Sequence, residues 1–63
     1  MTKELLKFEI TEALAKVQIE SALALNSSNR GETTPLAAHA RSAKKSLNYI
    51  LKIIQEYNRK EQK

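Results

Sequence analysis

Cysteine is absent from this 63-residue sequence, and histidine, glycine and proline occur only once each. Without cysteine the chain can form neither a disulfide framework nor a thiolate metal site, and one histidine does not make a zinc cluster. A chain of this length also buries too small a fraction of its surface to be comfortably stable alone. We therefore expect copies of the chain, or a partner protein, to complete the hydrophobic core.

Long apolar runs are missing as well. The longest, residues 22–25, has four residues, against the ~20 that a membrane-spanning helix needs. The first residues lack the basic flank, the continuous apolar stretch and the small-residue cleavage site of a secretion signal. We expect a cytoplasmic protein with no membrane partner.

Helix-breaking residues are confined to one short segment. The single glycine and the single proline both lie within residues 26–35, where Asn, Ser and Thr side chains also compete for backbone hydrogen bonds and disfavour helix. The sequence therefore predicts an all-α, antiparallel two-helix hairpin in one domain. The predicted domain covers residues 1–63. It consists of a helix over about 2–26, a turn over about 27–34, a helix over about 35–59 and a frayed C-terminal tail.

The starts of both predicted helices carry recognisable signals. Thr2 is the expected N-cap of the first helix, with Glu4 favourably placed at the positive end of the helix dipole. Thr34 is the expected N-cap of the second helix. Pro35 follows it as the predicted first helical residue, where a missing N–H costs nothing.

The predicted second helix is an ordinary amphipathic helix. Drawn at about 100° per residue, it has one apolar stripe, flanked by Tyr49 and Ile53, and an opposite polar face. One apolar stripe needs one covering partner. The predicted stripe consists of Leu36, Ala40, Ala43, Leu47, Ile50, Leu51, Ile54 and Tyr57.

The predicted first helix has two apolar stripes, an inner and an outer one, separated by narrow rows of polar residues. A helix that is apolar on two sides is normally covered on two sides, and its hairpin partner can cover only one. We expect the outer stripe to be an oligomer interface, so that the hairpin forms a homo-oligomeric helical bundle, at the least a dimeric four-helix bundle. The inner stripe is Leu6, Ile10, Ala13, Leu14, Val17 and Ala24, and the outer stripe is Leu5, Phe8, Ala15, Ile19, Ala22 and Leu23.

Residue size also varies along the predicted hairpin. Alanines such as Ala24, Ala40 and Ala43 fall near the turn, whereas bulky residues such as Phe8 and Ile54 fall near the open end. Small side chains allow close helix approach and bulky ones hold backbones apart. The sequence therefore predicts a wedge with room at its wide end for a residue of another protomer.

Positive charge is concentrated in the second half of the chain. Residues 1–31 carry four basic and four acidic groups, and residues 32–63 carry seven basic and three acidic groups. A basic row of this kind can follow a phosphate backbone, but Glu56 interrupts it and Tyr49 is the only aromatic residue nearby. We therefore favour a solvated face over a nucleic-acid contact. The candidate contact residues are Arg41, Lys44, Lys45, Asn48, Lys52 and Arg59.

Two patterns resemble catalytic or metal sites only superficially. Ser42 and Lys45 match a Ser-x-x-Lys motif, but that chemistry also requires an oxyanion hole and a walled pocket. Glu9 and Glu20 are expected to form a surface ion-pair stripe with Lys16 instead of a metal site. We expect no catalytic residue, metal, cofactor or small-molecule substrate.

His39 is expected to be a partly buried residue at the border between the apolar stripe and the polar face. No cysteine or second histidine could join it as a metal ligand.

The sequence is consistent with two classes of function. The first is a small non-enzymatic interaction module, a homo-oligomeric adaptor, chaperone or regulator that binds itself or a helix of another protein. The alternative is a nucleic-acid-binding regulatory protein that uses the basic face. The sequence is short, contains many Lys, Asn and Ile residues and lacks cysteine. These features are typical of small reading frames of bacteria and their phages or mobile elements. This composition favours an assembly factor or regulator, which belongs to the first class.

Overall fold

The computed structural model describes residues 1–61, which fold into two helices, α1 over Lys3–Asn29 and α2 over Thr33–Glu61. Residues early in α1 lie beside residues late in α2, so the helices run antiparallel, as the Glu9–Tyr49 hydrogen bond illustrates. The all-α hairpin predicted from the sequence is confirmed. The predicted frayed tail is helical through Glu61, and residues 62–63 lie outside the described residues.

The start of α1 follows its prediction. The Thr2 backbone is extended, and the Thr2 side-chain oxygen accepts a hydrogen bond of 3.1 Å from the backbone N–H of Leu5. This bond satisfies one of the N–H groups that lack an intrahelical acceptor in the first turn. Glu4 lies in the same turn.

The turn between the helices is much shorter than predicted. It comprises residues 30–32 in place of 27–34, because α1 continues to Asn29 and α2 begins at Thr33. The Ser and Asn side chains at the end of α1 therefore do not break the helix. Their competition for backbone hydrogen bonds is a weak effect, and a stronger local signal determines the helix end.

That signal is Gly31, which has a left-handed φ of 71°. The backbone N–H of Gly31 donates a hydrogen bond of 3.0 Å to the carbonyl oxygen of Ser28. The backbone N–H of Glu32 donates one of 2.9 Å to the carbonyl oxygen of Ser27. This pair of bonds is the Schellman motif, which ends a helix at a glycine and satisfies its last carbonyl groups. Helix α1 therefore ends where the glycine allows it to end.

The predicted N-cap of α2 is wrong. The carbonyl oxygen of Glu32 accepts the first helical hydrogen bond, from the N–H of Leu36 at 3.2 Å, so Glu32 occupies the N-cap position. Thr34 and Pro35 lie inside the first turn. Pro35 is still compatible with the helix, because N–H groups of the first turn have no intrahelical acceptor to lose.

The contact face of α2 is rotated from the predicted stripe. Ile53, predicted to flank the stripe, is the most buried apolar residue at 6% exposure, and Ile50 is also buried. Leu47 and Leu51, predicted within the stripe, are exposed, with Leu51 at 57%. Helix α2 therefore turns the Ile50–Ile53 side toward α1 and leaves the other edge of its broad stripe uncovered.

Helix α1 packs through its inner stripe, with one exception. Leu6 and Ala13 are buried, and Val17 is partly buried. Leu14 is exposed, although it was predicted to pack against the second helix. One straight helix contacts another along a narrow line, so a residue at the edge of the stripe stays outside the contact.

The hairpin exposes much more surface than its mass requires. Its accessible area is 5082 Å², whereas a compact monomer of 7.1 kDa exposes about 4,100 Å². The radius of gyration is 14.7 Å, against about 11 Å for a globular chain of this length. The molecule is a rod of 49 × 16 × 10 Å.

The turn geometry generates a stability prediction. Gly31→Ala should lower the free energy of unfolding by about 1 kcal/mol, because a Cβ disfavours the left-handed conformation. Crowding is not involved, since nothing lies within 4 Å of the added Cβ. Urea denaturation followed by circular dichroism measures the change. Gly31→Asn is the control and should lose less, because asparagine tolerates this conformation. Equal losses would show that the backbone angle is not the cause.

Candidate interaction surfaces

The outer stripe of α1 is exposed along its whole length. All six residues predicted as the oligomer interface face away from α2, with Phe8 at 58% and Ile19 at 61% exposure. From Leu5 to Leu23 the row extends for about 27 Å at 1.5 Å per residue. The structure thus places these residues together on one uncovered face, and their role as an interface stays a prediction.

A second uncovered apolar surface is a groove along one side of the hairpin, near the turn. It has a volume of about 630 Å³, and its lining includes Ala24, Ala40 and Ala43, with Leu25 and Leu47 also contributing. Small side chains leave this space unfilled. At the open end, where room was predicted, bulky side chains fill the gap and leave a cavity of only about 30 Å³.

Among the apolar residues that line the groove, sequence reasoning missed Leu25. Leu25 was assigned to neither stripe, although it lies 11 residues after Leu14 and therefore about 20° from it around the helix. Both side chains are exposed on α1, and Leu47 and Leu51 are exposed on α2. The shared angular position of Leu14 and Leu25 was a signal that could have identified a third apolar strip on α1.

Two polar contacts join the helices. The His39 ring donates from Nδ1 to a Glu20 carboxylate oxygen at 2.9 Å, and the Tyr49 hydroxyl donates to a Glu9 carboxylate oxygen at 3.1 Å. Because the two carboxylates lie about three turns apart on α1, the contacts fix the register between the helices. His39 is partly buried, as predicted.

The predicted ion-pair stripe on α1 does not form. Glu9 and Glu20 turn toward α2 instead of toward Lys16. In the described part of the chain Arg30 and Glu32 form an exposed salt bridge, and Glu20 is hydrogen-bonded to His39. A partner on the neighbouring helix competes well with an exposed pair along one helix, which is worth only a few tenths of a kcal/mol.

The Tyr49 contact changes the acidity of the phenol. Its hydrogen bond to Glu9 raises the pKa of Tyr49, and loss of surrounding water and the negative charges of Glu9 and Glu56 act in the same direction. Each effect opposes a negative charge on the phenolate.

The basic face of α2 is exposed, with Lys44 and Asn48 at the border of the apolar groove and Lys45 beside α1. Its six residues are all exposed, and among the side chains that the structure describes none of them forms a salt bridge with a carboxylate. Glu56 is exposed beside them, as the sequence indicated. These residues are Arg41, Lys44, Lys45, Asn48, Lys52 and Arg59.

The Ser-x-x-Lys pair, which is not expected to be catalytic, lies at a polar hollow on the side of the hairpin that carries the Glu9–Tyr49 contact. Ser42 and Lys45 line this hollow of about 510 Å³ together with Glu12. Within the described residues, no group of three or more His, Asp or Glu side chains could hold a metal ion. In the same part of the chain, neither helix is long and apolar enough to cross a membrane.

Comparison with known proteins finds no relatives. No family model matches the chain, and no curated protein or solved structure is significantly similar to it. The function is therefore inferred from the surfaces of the hairpin itself.

The Tyr49–Glu9 contact predicts an alkaline titration. In a Tyr57→Phe background, which leaves one tyrosine, the absorbance of the phenolate should give a pKa above the ordinary 10.0. Glu9→Gln should bring it back toward 10.0, because the carboxylate is the main cause. Since the pKa of Tyr49 is raised in the folded state, the contribution of the Tyr49–Glu9 contact to the stability of the fold is complete below pH 10. It is lost as the pH rises through the folded-state pKa of Tyr49.

The matched control for this titration is Glu56→Gln. Glu56 contributes the smallest effect on Tyr49, so this substitution should lower the pKa less than Glu9→Gln does. An equal decrease in both variants would contradict the assignment to the hydrogen bond.

Proposed function

We propose that the chain is a small non-enzymatic interaction module whose hairpins assemble through the outer stripe of α1 into a homo-oligomeric helical bundle. In this form it acts as an adaptor, chaperone or regulator that binds other proteins. The observation that carries the proposal is the row of six exposed apolar side chains on the side of α1 away from the hairpin contact, which Glu12 interrupts. Soluble monomers rarely leave such a row uncovered.

The amount of surplus surface supports self-association. The hairpin exposes about 1,000 Å² more than a compact monomer of its mass. A stable protein interface buries about 800 Å² on each partner, so covering the surplus would provide an interface of ordinary size. Removal of apolar area from water contributes about 25 cal/mol per Å² before the entropy of association is subtracted.

The groove supports the second part of the proposal, the binding of another protein. It is bordered by leucines such as Leu25, Leu36 and Leu47, and its alanines leave room for inserted side chains. Apolar grooves between helices commonly bind the apolar face of an amphipathic helix. The groove lies on a different side of α1 from the outer stripe, so both surfaces can be occupied together.

The basic face favours a second candidate function, nucleic-acid binding by an oligomeric regulator. Its cations make no salt bridge among the described side chains and are therefore available for phosphate. Because the face lies on α2, assembly through α1 would leave it exposed. Glu56 beside the row, and the small number of aromatic residues there, make this the weaker candidate.

Two substitutions test self-association, one inside the outer stripe and one outside it. Ile19→Asp should dissociate or unfold the oligomer, because a carboxylate buried in an apolar interface without a partner costs several kcal/mol. Gln18→Asp should leave it intact, since Gln18 lies outside the stripe. Both residues are exposed in the hairpin, so neither substitution removes a buried side chain from the α1–α2 contact. Light scattering at micromolar concentration measures the mass.

A folded particle of about 7 kDa from the unaltered chain would contradict the proposal. Equal dissociation by Ile19→Asp and Gln18→Asp would place the interface elsewhere on the hairpin.

The nucleic-acid candidate makes a separate prediction. If Lys45 and Lys52 each bind a phosphate, changing both to Gln should weaken binding to any duplex DNA. The slope of log affinity against log salt should also fall by about 0.9 for each phosphate that is no longer neutralised. Fluorescence anisotropy across a salt series measures both quantities. Lys3→Gln with Lys7→Gln on α1 is the charge-matched control. If the unaltered chain does not bind DNA at low salt, the basic face is only a solvated surface.

A further inference from the structure

The outer stripe has the spacing of a coiled-coil seam. When Glu12, which lies between Phe8 and Ala15, is included and Leu23 is left out, its positions recur at alternating intervals of three and four residues, which is the a and d pattern of a heptad repeat. A seam with this period fits a second helix lying nearly parallel or antiparallel to α1. The seam runs through Leu5, Phe8, Glu12, Ala15, Ile19 and Ala22.

Glu12 is the one charged member of this seam, and it is exposed in the hairpin. In a parallel pair of identical helices, each a position faces its own copy, so two Glu12 carboxylates would meet inside the interface. Like charges at such a position are strongly unfavourable. In an antiparallel pair an a position faces a d position, and the two carboxylates are separated. Glu12 therefore selects against the parallel arrangement.

One antiparallel register places an alanine opposite Leu5 and opposite Glu12 and lets the two largest apolar side chains pack together. If residues whose numbers sum to 27 face each other, Leu5 meets Ala22 and Phe8 meets Ile19 of the partner subunit. Glu12 then meets Ala15, the smallest side chain available at the centre of the seam. This register overlaps the two α1 helices over residues 3–24 of each subunit.

The same register provides a partner for the charge. Lys16 follows Ala15 by one residue and is exposed at the edge of the stripe, so it lies next to Glu12 of the partner subunit. Symmetry produces this pair twice in each dimer. Among the described side chains, neither Glu12 nor Lys16 has a salt bridge within the hairpin, so both are available.

We propose that the outer stripe binds a second copy of the chain in an antiparallel α1–α1 contact, with Glu12 of each subunit paired to Lys16 of the other. The inference rests on the proposed self-association and adds its orientation and register. The two α1 helices form the centre of the four-helix bundle, and the two α2 helices, with their basic faces, lie on its outer sides.

Disulfide cross-linking tests the orientation, and the absence of natural cysteine makes it clean. Ala15→Cys lies beside the two-fold axis and should cross-link with itself on mild oxidation. Ile19→Cys should not, because its two copies lie about 16 Å apart along the helices, far beyond disulfide reach. A mixture of Phe8→Cys and Ile19→Cys chains should give the mixed cross-linked dimer. In a parallel dimer Ile19→Cys would cross-link with itself, and that result would overturn the proposal.

Charge reversal tests the register without cysteine. Glu12→Lys alone and Lys16→Glu alone should each weaken the dimer by about tenfold, because each creates two like-charge contacts. The double variant should recover most of the affinity, since it restores two opposite-charge contacts. Both positions are exposed in the hairpin, and circular dichroism checks that each variant keeps its helix content. A double variant as weak as either single variant would contradict the Glu12–Lys16 contact.

The two levels of the proposal fail differently. If light scattering finds the unaltered chain to be a monomer, both the proposed function and this inference are wrong. If it finds a dimer in which Ala15→Cys does not cross-link, the module still self-associates but the antiparallel α1 contact is wrong.

Discussion

Two packed helices can each cover only one side of the other, and the organisation of this hairpin depends on that constraint. Helix α2 has a single broad apolar stripe, whereas α1 is apolar on two opposite sides. Among the described residues, packing the inner stripe of α1 against α2 buries no side chain completely and leaves leucines exposed on both helices. The surfaces available for assembly are therefore a direct result of how the apolar residues are distributed on α1.

Periodicity in the sequence was sufficient to predict the helices and the exposure of the outer stripe, because both depend on local spacing alone. It did not predict the turn correctly. Residues 27–29 have side chains typical of turns, yet Gly31 alone determines where α1 ends, through hydrogen bonds between residues several positions apart. Counting residue types within a segment cannot reveal which one of them adopts the left-handed conformation.

The rotation of α2 about its own axis could not be predicted from the sequence either. A helical wheel shows the breadth of an apolar stripe but not the line along which a neighbouring helix meets it. Here the line of contact passes through Ile50 and Ile53. The two polar contacts between the helices fix the register of α2 against α1. Partners for Glu9 and Glu20 could not be identified from α1 alone, since Tyr49 and His39 come from the other helix.

The three-residue turn has a consequence for how this architecture could change. In the described chain, residues 30–32 are the interruption between two helices that would otherwise continue into each other. If the left-handed residue became helical, residues 3–61 would form one rod about 88 Å long. Two such rods could exchange halves and remake every interhelical contact between chains, as in domain swapping. The distinction between a hairpin dimer and an intertwined one thus rests on the backbone of a single glycine.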